Sequence, residues 1–193
     1  MDKTKHLDLG SGYKPRNPYD CDITYAADVL PHTKEIKNYS QVNLFTNSIP
    51  FDDDTFDSVS AYDFLEHVPR VWLRENGETI FPFISLMNEI YRVLKSRGKF
   101  YAFTPYYPKA QVFQDPTHVN FITVDTHEYF CGVDCLGRVY GFNGNFEKIR
   151  VETTSVKLSK KGLKPSIFYR IYDFKRKLQG KHTHLIWELI ARK

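Results

Sequence analysis

The chain has 193 residues, 41% of them hydrophobic and 26% charged, with a formal net charge of +4; at roughly 150 residues per domain it is one domain, 1–193, able to bury a core, and neither a disordered chain nor a coiled coil. No run of about 18 apolar residues exists, so no transmembrane segment is expected, and the opening MDKTKHLDLG lacks the apolar stretch of a secretory leader, which places the protein in the cytoplasm. The charge is split: residues 1–146 hold 14 Lys/Arg against 19 Asp/Glu, whereas residues 147–193 hold 13 against 4, giving a basic C-terminal part suited to phosphate-bearing partners or an anionic membrane surface, or simply a solvated face.

Taken in chain order, His6-Leu7-Asp8-Leu9 is a short strand that runs straight into the turn Gly10-Ser11-Gly12. In an open α/β sheet a ligand sits at this carboxyl end. Pro15 and Pro18 then deny residues 13–19 a long helix. Cys21-Asp22-Ile23 reads as the end of a very short second strand. Residues 25–39 carry helix-like apolar positions interrupted by Pro31, and Gln41–Phe45 reads as a third strand. Phe56–Ala61 is the fourth, with partial alternation. Phe64, Leu65 and Val68 start a helical segment that Pro69 stops or bends.

Phe81–Leu94 is the clearest helix: Ile84, Met87, Tyr91 and Leu94 recur at the 3-4 spacing with Phe83 and Ile90 widening the stripe, Pro82 suits the first turn, and Lys95, Arg97 and Gly98 suit the end. Lys99–Thr104 gives a fifth strand. Residues 106–144 form a long, aromatic, loop-rich stretch placed on the substrate side. Glu147–Leu158 and His184–Ala191 are two further strands, separated by a candidate basic amphipathic helix, Ile167–Leu178. This order predicts an α/β fold, a Rossmann-like and mostly parallel sheet with antiparallel C-terminal strands and helices on both faces. The three cysteines, Cys21, Cys131 and Cys135, make no disulfide framework, and the C-x-x-x-C pair lacks the ligands of a metal site, so no metal is expected.

LDLGSG is an incomplete dinucleotide fingerprint, because Pro15 stands where a third glycine would. A nucleoside-type ligand without a pyrophosphate fits it better than NAD. The chain resembles the class I S-adenosylmethionine-dependent methyltransferases in four ordered stretches: Leu7–Gly12 (LDLGSG), Ile49–Asp57 (IPFDDDTFD), Asp63–Val68 (DFLEHV) and Glu89–Gly98 (EIYRVLKSRG). Asp115-Pro116-Thr117-His118 followed by Phe121 and Thr123 is similar to the small bacterial and phage-associated type 11 group. The resemblance spans about residues 6–130.

It implies S-adenosylmethionine as cofactor. Gly10 and Gly12 would let the backbone approach it, and Asp8 would orient that turn or meet the cofactor's amino group. Asp22 would accept the ribose hydroxyls, although it follows Gly12 by only ten residues, and Asp28 is the alternative. Asn43 or Asn47 would meet the adenine beside Phe45, and Ala61, Tyr62 and Asp63 would line the cofactor at the end of the fourth strand. His118 is the candidate general base, with Asp115 setting its tautomer or capping the loop. His67 is a further catalytic candidate beside Glu66, and Tyr106, Tyr107 and Tyr129 are candidate walls of an acceptor pocket. The expected activity is methyl transfer to an oxygen or nitrogen of a small-molecule or saccharide-like acceptor. The alternatives are an RNA or protein methyltransferase docking through the basic C-terminal part, and a non-catalytic cofactor-binding scaffold.

Overall fold

The structure, a computed structural model, describes residues 2–31, 36–155 and 166–193. Seven strands make the central sheet: β1 (Lys5–Leu9), β2 (Ile23–Asp28), β3 (Tyr39–Gln41), β4 (Phe56–Tyr62), β7 (Leu94–Pro105), β8 (Phe146–Thr154) and β9 (His184–Ala191). Their order is β3-β2-β1-β4-β7-β9-β8. A small hairpin, β5 (Trp72–Leu73) with β6 (Thr79–Ile80), stands apart. The first five strands of the sheet pair in parallel. β9 is antiparallel to both of its neighbours, so β8 runs with the parallel strands and only β9 is reversed.

Alternation along the strands sorts two unlike faces. Leu7 and Leu9 of β1, Val59 and Ala61 of β4, and Phe100 and Ala102 of β7 turn to the main core. Helix α1 (Pro82–Val93) covers that face through Phe83, Leu86, Met87, Ile90 and Val93, all buried. The buried stripe of α1 keeps Phe83, Met87 and Ile90 from the one read in the sequence and adds Leu86 and Val93, while Ile84 and Tyr91 are only half-buried. The helix also stops at Val93: Leu94 is already extended and pairs with Phe56, and Lys95–Gly98 form the irregular start of β7 rather than a last helical turn. Two stretches that carry the family resemblance meet here. Arg92 donates to the carbonyls of Ile49 and Phe51 and to Asp53, and Glu89 accepts the Ile49 N–H, so α1 pins the turn that leads into β4.

The opposite face is polar: His6 and Asp8 of β1 and Ser58 and Ser60 of β4 are all buried on it. Over β1, β4 and β7 it is covered by the segment 11–22 instead of a helix, a departure from the expected double cover that follows from Pro15 and Pro18. Arg16 donates its N–H to Asp8 and lays its guanidinium 4.4 Å from the centre of the Tyr62 ring, and the Tyr19 hydroxyl donates to Glu188.

Two further sequence expectations are corrected. Asp22 does not end β2; it precedes it, and the strand runs on to Asp28, because Ala26 and Ala27 pack in the sheet interior whatever their helix propensity. β3 ends at Gln41, because the Asn43 side chain accepts the Phe45 N–H and its carbonyl the Asn47 N–H, turning the chain. The helix read within 25–39 falls partly on 32–35, and the end of the strand read over 147–158 falls on 156–158, both outside the described residues. Beyond β7 lie α2 (Gln111–Gln114), two short 3₁₀ turns at Thr126–Phe130 and Leu136–Tyr140, and, between β8 and β9, α3 (Ile167–Leu178). No described helix is long and apolar enough to cross a membrane.

Candidate active site

β1, β2, β3 and β4 end side by side, and a cleft of about 380 Å³ opens over their carboxyl ends. Gly10, Asp28, Asn43, Phe45, Asp63 and Phe64 line it. Gly10 has φ +63°, and a Cβ there would stand 2.4 Å from Cδ2 of Phe64. Gly12 has φ +54° and donates its N–H to Oδ2 of Asp28, whose Oδ1 accepts the Leu30 N–H. The Asp28 carboxylate is thus braced at the mouth of the cleft. The rings of Phe45 and Phe64 stack at 5.9 Å, giving an apolar wall.

A nucleoside sulfonium fits this chemistry. The carboxylate at the end of β2 is an acceptor for vicinal hydroxyls, the aromatic wall accepts a flat base, and the Gly10 backbone leaves room that a side chain would fill.

Several residues read in the sequence as cofactor contacts sit elsewhere. Asp22 lies at the opposite end of β2, where it accepts from the Thr4 N–H and hydroxyl. Asp8 faces the polar side of the sheet and accepts from Ser60 and from the Arg16 N–H, with burial pushing its carboxyl up to about 7. It holds the glycine turn and the following segment in place. Tyr62 is buried on that same side beneath Arg16, and Ala61 packs in the core. Asn47 lines a larger groove of about 650 Å³ beneath the β5–β6 hairpin, together with Trp72 and Glu75.

A second cleft, of about 550 Å³, adjoins the first and shares Asp63 and His67 with it. Asp63 takes a left-handed backbone (φ +48°) at the end of β4, where its N–H donates to the Phe103 carbonyl, and its Oδ1 is 3.3 Å from Nε2 of His184. The rest of the lining is Glu66, Pro105, Gln111, Gln114, Asp115, Pro116, His118 and His184. Glu66 is buried, accepts from the Thr104 hydroxyl, and is pushed up to about 8 by its burial. Its carbonyl takes the N–H groups of Val119 and Asn120, which fastens the 115–120 loop over the cleft.

The two imidazoles are oriented by different partners. His118 Nδ1 lies 3.0 Å from the Val112 carbonyl, which can only accept, so Nδ1 carries a proton, and in the neutral ring Nε2 carries the lone pair. Nε2 lies 3.9 Å from Oε1 of Glu66 and 4.0 Å from Oδ2 of Asp115. The tautomer is therefore set by Val112 and not by Asp115. Asp115 accepts the N–H and hydroxyl of Thr117, which hold its carboxyl below the ordinary range, and Thr117 Oγ1 in turn accepts from Nδ1 of His67. Burial, and then neighbouring His118, lower the pKa of His67. The two rings meet edge to face at 4.8 Å.

Thr117 and His184 are not singled out by the sequence reading. The first could have been found in the Asp-Pro-Thr-His run, whereas the second is brought in only by the pairing of β9 with β7. The tyrosines read as pocket walls divide: Tyr129 lines a separate pocket with Arg70 and Phe83, and neither Tyr106 nor Tyr107 lines the second cleft.

Residues 17–102 match a protein family described as a methyltransferase domain. Similar solved structures include a methyltransferase of Haloferax volcanii in complex with the Trm112 methyltransferase activator (15% identity, 100% of this chain and 84% of that one, TM-score 0.59). An enzyme of Galdieria sulphuraria named for sarcosine dimethylglycine methyltransfer is similar too (15%, 100% and 80%, TM-score 0.59), as is a SAM-dependent methyltransferase of Archaeoglobus fulgidus (14%, 99% and 86%, TM-score 0.56). No curated protein matches the chain in sequence.

The fold is the one shared by these methyltransferase structures, and the matched stretch, residues 17–102, is similar to a methyltransferase domain. That similarity points to S-adenosylmethionine as the nucleoside ligand of the cleft over β1–β4.

Proposed function

We propose that the protein transfers a methyl group to a hydroxyl oxygen of a small, saccharide-like acceptor, with the cofactor in the cleft over β1–β4 and the acceptor in the cleft under the 115–120 loop. The observation that carries this reading is that the two clefts meet at Asp63 and His67. Asp28 would hold the ribose, Phe45 and Phe64 the adenine, and the Gly10 backbone would pass beside the rest. The cofactor supplies a methyl carbon already activated by positive sulfur, so the chain's own task is alignment and exclusion of water.

His118 offers an Nε2 lone pair to the acceptor cleft and is suited to take a hydroxyl proton. Asp115 orients His67 through Thr117, and the amides of Gln111 and Gln114, with Asp63, offer hydrogen bonds to a hydroxylated ligand. Among the described residues the lining carries no Lys or Arg but does carry two aspartates and a glutamate. That favours an uncharged polyol over a phosphodiester backbone. The three free thiols among the described residues suit a reducing, cytoplasmic setting.

The test is calorimetric binding of S-adenosylmethionine and S-adenosylhomocysteine, with NAD as control, followed by labelled-methyl transfer to panels of sugars, amines and RNA. Binding of the first two and labelling of hydroxylated acceptors supports the proposal. Labelling of RNA or amines alone overturns the acceptor assignment, and binding without transfer to any panel supports a scaffold instead.

A further inference from the structure

Helix α3 is amphipathic in the wrong sense for a helix packed on its own domain. Its half-buried side chains are Tyr169, Tyr172, Asp173 and Arg176. Asp173 anchors it: its carboxylate accepts from the N–H and hydroxyl of Ser155 and from Thr154, and its carbonyl lies 2.9 Å from Nε2 of His182. The apolar side chains Ile167, Phe168, Ile171, Phe174 and Leu178 point the other way and are between 49% and 79% exposed. At 3.6 residues per turn, Ile167, Ile171, Phe174 and Leu178 fall within an arc of about 60°, and Phe168 lies about 60° outside it, beyond Lys175. Arg170 and Lys177 border the stripe on one side and Lys175 on the other. The helix's only acid, Asp173, is turned inward.

We propose that α3 is a membrane-surface helix that seats the protein on an anionic phospholipid bilayer. Charge complementarity selects this occupant. A stripe of Phe, Ile and Leu with cations along both borders can sink to the acyl boundary while its basic groups stay among anionic headgroups. A second copy docked through the same stripe would bring Lys and Arg borders together, and a nucleic-acid backbone would satisfy the cations but leave the apolar stripe uncovered. The basic residues Lys157, Lys160, Lys161 and Lys164 precede the helix in sequence, outside the described residues.

The anchor lies at the functional end of the sheet. Thr154 pairs with His184 across β8 and β9, His184 lines the acceptor cleft, and Lys109 donates to the Gly180 carbonyl just past α3. Seated by α3, the acceptor cleft would open beside the headgroups, so its acceptor would be one carried at a membrane. That last clause rests on the acceptor-cleft reading, whereas the docking rests on α3 alone.

The experiment is co-sedimentation of the full chain with phosphatidylcholine vesicles, with and without phosphatidylserine, at low and high salt, with S-adenosylhomocysteine binding measured on the same preparations. The protein is expected to sediment with the serine-containing vesicles only, and less so at high salt. Phe174→Ser is expected to weaken partitioning about tenfold or more while Phe174→Leu retains it, and Lys175→Gln or Lys177→Gln to weaken it about fivefold each. Cofactor binding is expected to be unchanged in all four.

Absence of sedimentation, equal sedimentation with phosphatidylcholine alone, or indifference to Phe174→Ser overturns the proposal. So does a lipid-free dimer, or a complex with single-stranded RNA, that Phe174→Ser abolishes. Vesicle binding by a protein that binds no cofactor would leave the docking standing and remove the methyltransferase site.

Discussion

Substituting Gly10 by Ala tests the geometry of the proposed cofactor cleft at its tightest point. The added Cβ would meet three atoms of one residue: Cδ2, Cγ and Cβ of Phe64, at 2.4, 2.6 and 2.9 Å. Carbon atoms prefer about 3.5–4.0 Å, so the ring must move by about 1 Å or more. Its inner atoms are among those struck, so a rotation at the far end does not relieve the clash. The left-handed backbone costs Ala about 1–2 kcal/mol, and overpacking of this kind about 1–3 kcal/mol more. Gly12 separates the two contributions. It shares the left-handed backbone, but a Cβ there meets nothing within 4 Å.

In denaturant unfolding, Gly10→Ala is therefore expected to lose about 2–5 kcal/mol and Gly12→Ala only about 1–2 kcal/mol. Because Phe64 also walls the cleft, calorimetric titration of Gly10→Ala with S-adenosylhomocysteine should show about a tenfold or greater loss of affinity, from about 1.4 kcal/mol or more of misplaced wall. Truncating the ring in the double variant Gly10→Ala/Phe64→Ala should make the glycine substitution cost less than it does alone. Equal costs at the two glycines, or no coupling between Gly10 and Phe64, would refute the argument.

Asp28→Ala should weaken S-adenosylhomocysteine binding about tenfold or more, as expected for a lost charged hydrogen bond, while Asp22→Ala leaves affinity unchanged; the reverse order would return the ribose to Asp22. His118→Ala should lower turnover about a hundredfold or more with cofactor affinity intact, and equal turnover would remove it as the base. Asp8 titrates at 3.8 when unfolded and at about 7 when folded, so between those values the native state holds the extra proton and loses stability as pH rises. Asp8→Asn removes that dependence: wild-type stability relative to the variant should fall by about 1.4 kcal/mol per pH unit between about pH 5 and 6.5, and parallel curves would show that the carboxyl is not buried as described. Vesicle binding lost on Phe174→Ser and kept on Phe174→Leu is the corresponding expectation for α3.

The sheet is legible in the sequence wherever residues repeat with a simple period. β1, β4 and β9 stand close to where the sequence places them, β7 begins five residues before its expected start, and α1 is within a residue of its expected bounds at each end. The second strand departs from its sequence reading for a physical reason. Composition alone cannot distinguish Ala26-Ala27 in a helix from the same pair in a sheet interior, so the pattern ends the strand near Asp22 where the fold carries it to Asp28. That one displacement moves the candidate ribose acid from one end of the sheet to the other, and leaves Asp28 as only the alternative in the sequence reading. The glycine turn, Asp63, His67 and the Asp115–His118 run are legible because they sit in short ordered motifs. The brace from Val112 to His118 is not, since it depends on how the loop between them turns back, and the approach of His184 is not, since it depends on the pairing of β9 with β7.

The substitution of segment 11–22 for a helix explains why the polar face can exist at all. A covering helix would bring an apolar stripe and would deprive the buried Asp8 of the Arg16 N–H. Here His6, Asp8, Ser58 and Ser60 satisfy one another in sequence. Ser60 donates to Asp8, so His6 Nε2 must donate to Ser60, and His6 Nδ1 is left to accept from Ser58, 2.7 Å away. Burial holds His6 neutral, pushing it down to about 3, which is the state that this single direction of donation requires. The chain of hydrogen bonds ends at Asp8, and Asp8 takes the Arg16 N–H, so the network terminates on the backbone of the very segment that covers it. Two prolines deny that segment a helix, and the strand beneath it supplies the hydrogen-bond acceptor that fixes its path instead. The same carboxylate lies two residues before Gly10, so the order that replaces the missing helix is delivered directly to the turn that faces the cleft over β1–β4.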